Sequence, residues 1–199
     1  MRLPILLDVD GVLADFSTHL LQTVGSRLTA ADVTQWDIFA LLDPEGLRAQ
    51  AIEVLKDPAW WEQMPTMPGV SALIDTLLAE GAEVVCVTSP WLSCVGWESA
   101  RREWIKRVWR EAGATTDQVP ETIVAYAKYY VRGCVLIDDK PEHVARWARV
   151  NEGDGLGLIF DAPYNRDFDE TTVNARRVHG WSEATIARVI ARHNREASR

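Results

Sequence analysis

The chain is poor in cysteine, and it has no long apolar run. Its three cysteines, Cys86, Cys94 and Cys134, show no Cys-x-x-Cys spacing, so the sequence indicates neither a disulfide framework nor a structural zinc site. No stretch approaches the length of a membrane span, and the first apolar run meets Asp8 too early to form a signal-peptide core. We therefore expect a protein of the reducing cytoplasm that does not bind membranes.

Basic residues are also in deficit. The 199 residues include 21 Lys and Arg against 29 Asp and Glu, which gives a formal net charge of −8. A polyanion would have to bind against this overall field, so nucleic-acid polymers are disfavoured as partners. Apolar residues make up 47% and charged residues 25%, which is ordinary for a globular protein and excludes disordered and fibrous classes. The length favours one compact unit with an insertion.

Short apolar runs alternate with helical patterns along most of the chain. The runs predict buried strands at residues 3–8, 82–87, 134–137 and 156–160, with a further candidate at 122–126. Helical patterns cover 71–80 and 98–112, Pro141 is placed to begin another helix, and Ser182 can cap a last one. This alternation predicts an α/β fold with a three-layer, Rossmann-like parallel sheet. Residues 161–174 are expected to form a long loop.

The first strand is not followed by a simple crossover. Residues 15–67 contain at least three helical patterns, separated by turn signals at Gly25, Asp43-Pro44 and Asp57-Pro58. We therefore predict a small helical cap inserted between the first and second strands. In this division, residues 1–15 and 68–199 form the α/β core and residues 16–67 form the cap.

Carboxylates end two of the predicted strands. Asp8 and Asp10 close the first strand, where a period of two puts both side chains on the same side, and Asp138 and Asp139 close another. If both strands are central, four carboxylates converge at the sheet edge where open α/β sheets bind ligands. Such a cluster predicts raised pKa values or a bound hard cation with oxygen ligands, for which Mg²⁺ is the best fit.

Two further features suit a phosphate ligand. The run that ends in Thr88 and Ser89 supplies hydroxyls, which can donate to phosphate oxygens without adding negative charge. Lys128 lies ten residues before Asp138 and supplies a compact ammonium group.

This order of motifs resembles that of the haloacid dehalogenase superfamily of phosphotransferases over about residues 3–142. The resemblance implies that Asp8 is the nucleophile that attacks phosphorus and that Asp10 is the general acid and base. It implies that Thr88 and Lys128 hold the phosphoryl group. The Mg²⁺ ligands implied are Asp8, the backbone carbonyl of Asp10, Asp138 and Asp139.

Within that superfamily, residues 8–16, 88–90 and 136–141 resemble the 5′(3′)-deoxyribonucleotidases, as does the late His179-Gly180-Trp181. This resemblance implies a Mg²⁺-dependent phosphomonoesterase that acts on deoxynucleoside monophosphates, prefers uracil and thymine, and has a small helical cap with aromatic contacts to the nucleoside. The implied substrate contacts are Phe16, Ser89, Lys140 and, as a substrate-facing cation, Arg101.

Several alternatives stay open at this stage. Trp36, Trp60 and Trp61 could stack on a base or form the core of the insertion, and Phe16 could be a pocket wall or a core residue. The basic run that contains Arg101 also fits a solvated helix face, and all four histidines fit structural or surface positions. The substrate could be another small phosphate ester, such as a sugar phosphate. A non-catalytic binding protein that retains the fold is a further alternative, and a homodimer is possible.

Overall fold

The computed structural model describes residues 3–151 and 155–196, and its centre is a six-stranded parallel sheet. The strands are β1 (Ile5–Leu7), β2 (Val84–Thr88), β3 (Glu121–Val124), β4 (Val135–Asp138), β5 (Leu156–Phe160) and β6 (Ala175–Val178). Their spatial order is β3-β2-β1-β4-β5-β6, and each neighbouring pair is parallel. The predicted Rossmann-like α/β fold is confirmed.

The central strands read as continuous apolar runs because both faces of the sheet are covered. Ile5 in β1 aligns with Val84 on one side and with Val135 on the other. Ile5 and Leu7 belong to the larger hydrophobic core, whereas Leu6 points to a second core on the opposite face. A strand that is buried on both faces cannot alternate apolar with polar residues, which explains the pattern in the sequence.

Eight α-helices surround this sheet in the described part of the chain. They are α1 (Phe16–Thr23), α2 (Ile38–Leu42), α3 (Arg48–Val54), α4 (Pro58–Glu62), α5 (Val70–Ala79), α6 (Trp97–Glu111), α7 (Pro141–Val150) and α8 (Glu183–Glu196). The bounds of α5 and α6 lie within one residue of those predicted. Helix α7 begins at Pro141 as expected, because the first turn of a helix does not need the N–H that proline lacks.

Helices α1 to α4 all lie between β1 and α5, where the sequence predicts an insertion. Aspartates begin three of them: the carboxylates of Asp15, Asp37 and Asp57 each accept a hydrogen bond from a backbone N–H in the first turn. The insertion is attached to α6, since the Trp104 indole donates to the Met64 carbonyl at 2.7 Å. Apolar side chains of the insertion also belong to the same hydrophobic core as those of β1.

The sequence does not predict β6. Residues 161–174 contain two short 3₁₀ turns rather than an uninterrupted loop, and β6 follows them at the edge of the sheet. Its residues are Ala-Arg-Arg-Val, so it has no apolar run by which to recognise it. Arg177 points back over the edge and pairs with Asp161, so this strand is held partly by polar contacts.

The sequence indicates neither a disulfide framework nor a membrane-spanning segment. Cys86, Cys94 and Cys134 all lie in buried positions. Over residues 3–151 and 155–196, none of the helices combines the length and apolar character that a membrane crossing requires.

Candidate active site

Three carboxylates meet where the strand order reverses, between β1 and β4. Asp8 follows β1, Asp138 ends β4 and Asp139 comes next, and one oxygen atom from each lies within 4.8 Å of the others. The connections from β1 and β4 leave toward opposite sides of the sheet at this point, which opens a crevice at the carboxyl ends of the strands. The predicted convergence of carboxylates is therefore present for these three residues.

A buried lysine lies against this carboxylate cluster. The Lys128 ammonium is 2.7 Å from Oδ1 of Asp8 and 2.9 Å from Oδ2 of Asp138. Burial alone would lower the pKa of Lys128, but the two carboxylates outweigh it and raise that pKa above its ordinary value. Lys128 is therefore a fixed positive charge at the base of the site, as its predicted role requires.

The three carboxylates have different proton affinities. Burial and the negative charge of Asp138 raise the pKa of Asp8 well above its usual range, although Lys128 partly offsets them. Burial and Asp138 also raise the pKa of Asp139 to about 7. Burial acts in the same direction on Asp138, but Lys128 and His143 lower its pKa to about 2. If all three carboxylates are ionised, their negative charge exceeds what one ammonium balances, which is the condition that favours a bound cation.

Asp138 is held by the first turn of α7. Its Oδ1 accepts the Lys140 backbone N–H at 2.9 Å, and its Oδ2 lies 3.2 Å from Nδ1 of His143. His143 also lines the cavity above the carboxylates, and its contact with Asp138 fits the structural role expected of the histidines. Metal-ligand spacing does not identify it, because its contact depends on how α7 folds back over the strand end.

The turn after β5 holds Asp139, and sequence reasoning missed both residues that do so. The Tyr164 hydroxyl donates to Oδ2 of Asp139, and the Asn165 amide donates to the Asp139 carbonyl at 2.7 Å. Asn165 is itself fixed by Arg177, which donates to its Oδ1 at 2.6 Å. The available signal was positional: polar residues that directly follow a buried parallel strand reach the same sheet edge as Asp139.

Gly11 is required by the same close packing. Its φ is +78°, and a Cβ there would overlap Oδ2 of Asp139. Only glycine meets both conditions, because other residues resist positive φ and carry a Cβ. The turn that contains Gly11 is also held by Trp181, which follows β6 and whose indole donates to the Val12 carbonyl at 2.8 Å.

Asp10 lies at the cavity but has a different partner from the other carboxylates. Its Oδ1 accepts a hydrogen bond from Arg101 at 2.7 Å. Its side chain does not join the group formed by Asp8, Asp138 and Asp139 in the described residues. All four carboxylates still line one cavity, as expected, and a metal contact through the Asp10 backbone carbonyl stays a prediction.

Arg101 is not the substrate-facing cation that the resemblance implies. Its side chain is fully buried, and it does not line the cavity. The physical reason is its place on α6, on the apolar side with Trp97 and Trp104, where its guanidinium lies between tryptophan rings. The interpretation of this residue as part of a solvated face is wrong for the same reason.

The carboxylates open into a cavity of about 380 Å³, a size that accepts a small ligand. Thr88, Ser89 and Lys140 line it with Asp8, Asp10 and Lys128. Within the described residues, Oγ1 of Thr88 and Oδ1 of Asp139 are buried and have no hydrogen-bond partner. Buried polar atoms are normally satisfied, so these two atoms are available to pair with a ligand in the cavity.

Aromatic side chains form the walls of this cavity. Phe16, Trp36, Trp61 and Trp91 all line it, and the Lys140 ammonium lies 4.7 Å from the centre of the Trp36 ring. Phe16 fits both of its alternatives, because it also packs at 5.7 Å on Trp60. Trp36 is 54% exposed, so it is not a core residue of the insertion.

Trp60 does not line the cavity, so of its two alternatives the role in the core of the insertion fits and the predicted substrate contact does not. Its ring is buried, and its indole N–H donates to Oγ1 of Thr23 at 3.0 Å. Trp61, the next residue, does reach the cavity although it is almost fully buried. Two adjacent residues of a helix point about 100° apart, so one can face the ligand while the other packs in the core of the insertion.

The cluster fits a metal ion by the chemistry of its donors. Asp8, Asp138 and Asp139 supply only carboxylate oxygens, which hard divalent cations prefer, and one of those oxygens is the unpartnered Oδ1 of Asp139. A bound cation would also offset the charge that Lys128 leaves unbalanced. The residues at this edge of the sheet therefore form a site suited to metal binding.

Comparison with known proteins agrees with this geometry. The sequence profile of the family described as "5′ nucleotidase, deoxy (Pyrimidine), cytosolic type C protein" matches residues 2–194. A protein of Bordetella pertussis named "Putative 5′(3′)-deoxyribonucleotidase" is 31% identical over 173 residues, which cover 82% of this chain and 86% of that protein. A relative of the same name from Bordetella bronchiseptica is 31% identical over 174 residues, with the same coverage of both chains.

Solved structures show the same fold at low sequence identity. The crystal structure of a HAD family hydrolase from Deinococcus radiodurans R1, with bound phosphate and sodium, has a TM-score of 0.54 at 16% identity and covers 94% of this chain and 95% of that one. A haloacid dehalogenase-like hydrolase from Burkholderia xenovorans LB400 also has a TM-score of 0.54, at 13% identity, and covers 98% of both chains. With the profile match, these findings mean that the chain has the fold of haloacid dehalogenase-like hydrolases, is a phosphatase, and belongs to the 5′ nucleotidase, deoxy (pyrimidine), cytosolic type C protein family.

Proposed function

We propose that this phosphatase hydrolyses deoxynucleoside monophosphates, with pyrimidine bases preferred, and that it does so through a phosphoaspartate at Asp8 in the presence of Mg²⁺. The observation that carries the proposal is the placement of Asp8, Asp138, Asp139 and Lys128 together beneath a cavity with aromatic walls. The family profile and the names of the Bordetella relatives support the choice of nucleotide.

Asp8 is the proposed nucleophile. An oxygen of its carboxylate attacks phosphorus, the bond from phosphorus to the ester oxygen breaks, and Asp10 gives a proton to the departing nucleoside oxygen. Asp10 then takes a proton from water, the water oxygen attacks phosphorus, and the bond between phosphorus and Asp8 breaks to release inorganic phosphate. Uncatalysed hydrolysis of phosphate monoesters is among the slowest reactions known, so dividing it into two assisted steps is advantageous.

Lys128 and Thr88 are the proposed ligands of the phosphoryl group. The ammonium of Lys128 already lies 2.7 Å from Asp8, and the buried Thr88 hydroxyl has no partner among the described residues. Both groups can donate to equatorial phosphoryl oxygens, on which negative charge must be stabilised. Their order along the chain and their convergence on Asp8 support these roles.

Asp8, Asp138 and Asp139 would hold Mg²⁺, with the backbone carbonyl of Asp10 as a further ligand. The ion would supply a positive charge that offsets the charge of the phosphoryl oxygens and orients the phosphate beside Asp8. Oxygen ligands favour Mg²⁺ over softer metals, and the raised pKa values of Asp8 and Asp139 indicate carboxylates that lack sufficient positive charge.

The nucleoside would bind between the aromatic walls. Phe16, Trp36 and Trp61 come from the inserted segment, which supports the division into an α/β core of residues 1–15 and 68–199 and a cap of residues 16–67. Aromatic side chains can stack on a base and pack on a sugar, and stacking contributes about 1–3 kcal/mol per base. Ser89 and Lys140 line the same cavity and are proposed to contact the substrate near its phosphate.

Phosphate release tests the proposal most simply. Matched deoxy- and ribonucleoside 5′- and 3′-monophosphates and a set of sugar phosphates would each be assayed with Mg²⁺ and with a chelator, with Asp8→Asn as the inactive control. We expect Mg²⁺-dependent release that is fastest from pyrimidine deoxynucleotides. Release from sugar phosphates alone would contradict the nucleotide assignment, and release that survives chelation would contradict the role of the metal.

A further inference from the structure

The buried guanidinium of Arg101 has no part in the function described so far. Arg101 lies on α6 and is fully buried, although a charged group is costly to remove from water unless it is paired. Its surroundings are mostly apolar: the guanidinium lies 5.1 Å from the Trp61 ring centre and 5.8 Å from those of Trp97 and Trp104. A residue with this environment needs an explanation that packing alone does not supply.

Arg101 uses only part of its hydrogen-bonding capacity. One terminal nitrogen donates to Oδ1 of Asp10 at 2.7 Å, whereas Nε and the other terminal nitrogen have no hydrogen-bond partner within residues 3–151 and 155–196. Arginine carries five N–H donors, and buried donors normally have hydrogen-bond partners. Here the one charged contact goes to a carboxylate at the cavity.

The two carboxylates that follow β1 thus have separate cations. Lys128 pairs with Asp8 on one side, and Arg101 pairs with Asp10 on the other. The Asp10 side chain, which Arg101 contacts, lies outside the group formed by Asp8, Asp138 and Asp139 in the described residues. Asp10 remains 30% exposed, so it is held at one oxygen and is still accessible from the cavity.

We propose that Arg101 is a positioning residue: it holds Asp10 at Oδ1 so that Oδ2 exchanges the proton with the departing and attacking oxygens. This inference rests on the proposed function, in which Asp10 is the general acid and base. Arg101 itself touches neither substrate nor metal. Its fixed, planar fork holds a carboxylate in one orientation more firmly than a flexible ammonium can.

The proposal makes the effect of Arg101 depend on the leaving group. A nucleoside oxygen is a poor leaving group and needs the proton from Asp10, whereas the leaving groups of p-nitrophenyl phosphate and acetyl phosphate need little protonation. We expect Arg101→Met to lower kcat on thymidine 5′-monophosphate by about 10²-fold, the lower end of what general acid catalysis contributes. The rate of enzyme phosphorylation by the activated esters should change less than about threefold, and KM should change little.

Three further variants complete the experiment. Arg101→Lys keeps the charge and should recover part of kcat on the nucleotide. Arg102→Met is the matched control, because Arg102 is the next residue of α6 and pairs with Glu98 on the outer side of the helix. Asp10→Asn gives the reference signature of a lost general acid, and combining it with Arg101→Met should add no further selective loss. Circular dichroism and thermal unfolding check that each variant is folded. If Arg101→Met is not folded, Arg101→Lys replaces it in the comparison.

The outcomes separate this inference from the proposed function. A selective loss on the nucleotide in both Asp10→Asn and the Arg101 variants supports the positioning role. A second outcome is that Asp10→Asn shows that selectivity while the folded Arg101 variants lose activity equally on the nucleotide and the activated esters, or lose activity on neither. The inference is then overturned and the proposed function stands. If Asp10→Asn itself shows no selectivity, Asp10 is not the general acid, and both the inference and that part of the proposed function fail.

Discussion

The hydroxyl of Tyr164 donates a hydrogen bond to the carboxylate of Asp139, so the turn after β5 holds a residue of the acidic cluster beyond β4. A partner that orients a metal ligand typically changes metal affinity by about 10- to 100-fold. We expect Tyr164→Phe, which removes only the hydroxyl, to weaken Mg²⁺ binding by about tenfold in isothermal titration calorimetry of the metal-free protein.

The matched control for this change is Tyr130→Phe. Tyr130 is 71% exposed and lies outside the cavity, so the loss of its hydroxyl should leave the Kd for Mg²⁺ unchanged. An equal Kd for Tyr164→Phe and the wild type would show that Asp139 does not depend on this hydrogen bond.

Gly11 should tolerate a side chain less well than a glycine of similar φ in an open position. Gly11→Ala places a Cβ against Asp139 at a φ of +78°, whereas Gly25 has a φ of +68° and no atom within 4 Å of an added Cβ. Gly25→Ala therefore measures the backbone strain alone, about 1 kcal/mol of unfolding free energy. We expect Gly11→Ala to cost roughly 1–3 kcal/mol more in urea denaturation, because of the contact with Asp139. Equal losses for the two variants would contradict the close packing described at this turn.

Lys128→Met should lower stability in a way that depends on pH. Lys128 lies within 3 Å of Asp8 and Asp138, so its loss leaves buried carboxylates unpaired, which costs about 3–5 kcal/mol. Lys128 lowers the folded-state pKa values of Asp8 and Asp138, so both pKa values rise when the ammonium is lost. The penalty is small when the carboxylates are protonated at low pH and grows as the pH rises.

Thermal unfolding between pH 5 and pH 8 measures this trend, with Lys106→Met as the control on the outer side of α6. The difference in Tm between Lys128→Met and the wild type should widen as the pH rises, whereas Lys106→Met should show no such trend, because Lys106 is 45% exposed and pairs only with Glu103. A difference that narrows toward pH 8 would mean that Lys128 does not neutralise the cluster.

Trp36 tests the nucleoside pocket separately from the chemistry. Its ring is exposed at the cavity and contacts Lys140 and Tyr164. It can therefore contact a ligand, and replacing it should not disturb the hydrophobic core. If Trp36 stacks on the base, Trp36→Leu should raise KM for thymidine 5′-monophosphate by about tenfold or more, which corresponds to the energy of one stacked base. KM for p-nitrophenyl phosphate, which has no base, should change little, and an equal rise for both substrates would exclude a base-specific role.

Much of the site could be predicted because it lies in short local patterns. Asp8, Asp138 and Asp139 directly follow apolar strands, and parallel strands bring their carboxyl ends to one edge whatever the details of packing. The bounds of α5 and α6 follow from the same local logic, because a glycine comes directly after the last turn of each pattern. The fold class was therefore accessible from periodicity and turn residues alone.

The features that could not be predicted depend on contacts between distant parts of the chain. Arg101 reads as part of a basic helix face, and only the partner 91 positions away explains why it is buried. Strand β6 has no apolar run, because it is an edge strand whose Arg177 is satisfied by polar groups of the preceding turn. Trp60 and Trp61 are chemically alike, and the packing of α4 decides which of them reaches the cavity. Sequence patterns indicate which residues are buried, but they do not identify the distant residues that those side chains contact.

The central claim is that Asp8 becomes phosphorylated, and mass spectrometry of the digested protein tests it most directly. Asp10→Asn protein would be mixed with acetyl phosphate and Mg²⁺, quenched in acid and digested, because an activated ester can phosphorylate Asp8 while the loss of Asp10 slows the attack of water. The account predicts a mass increase of one phosphoryl group on the peptide that contains Asp8, and none in the Asp8→Asn, Asp10→Asn double variant. Wild-type phosphate release without any such adduct, or an adduct on a different residue, would contradict it.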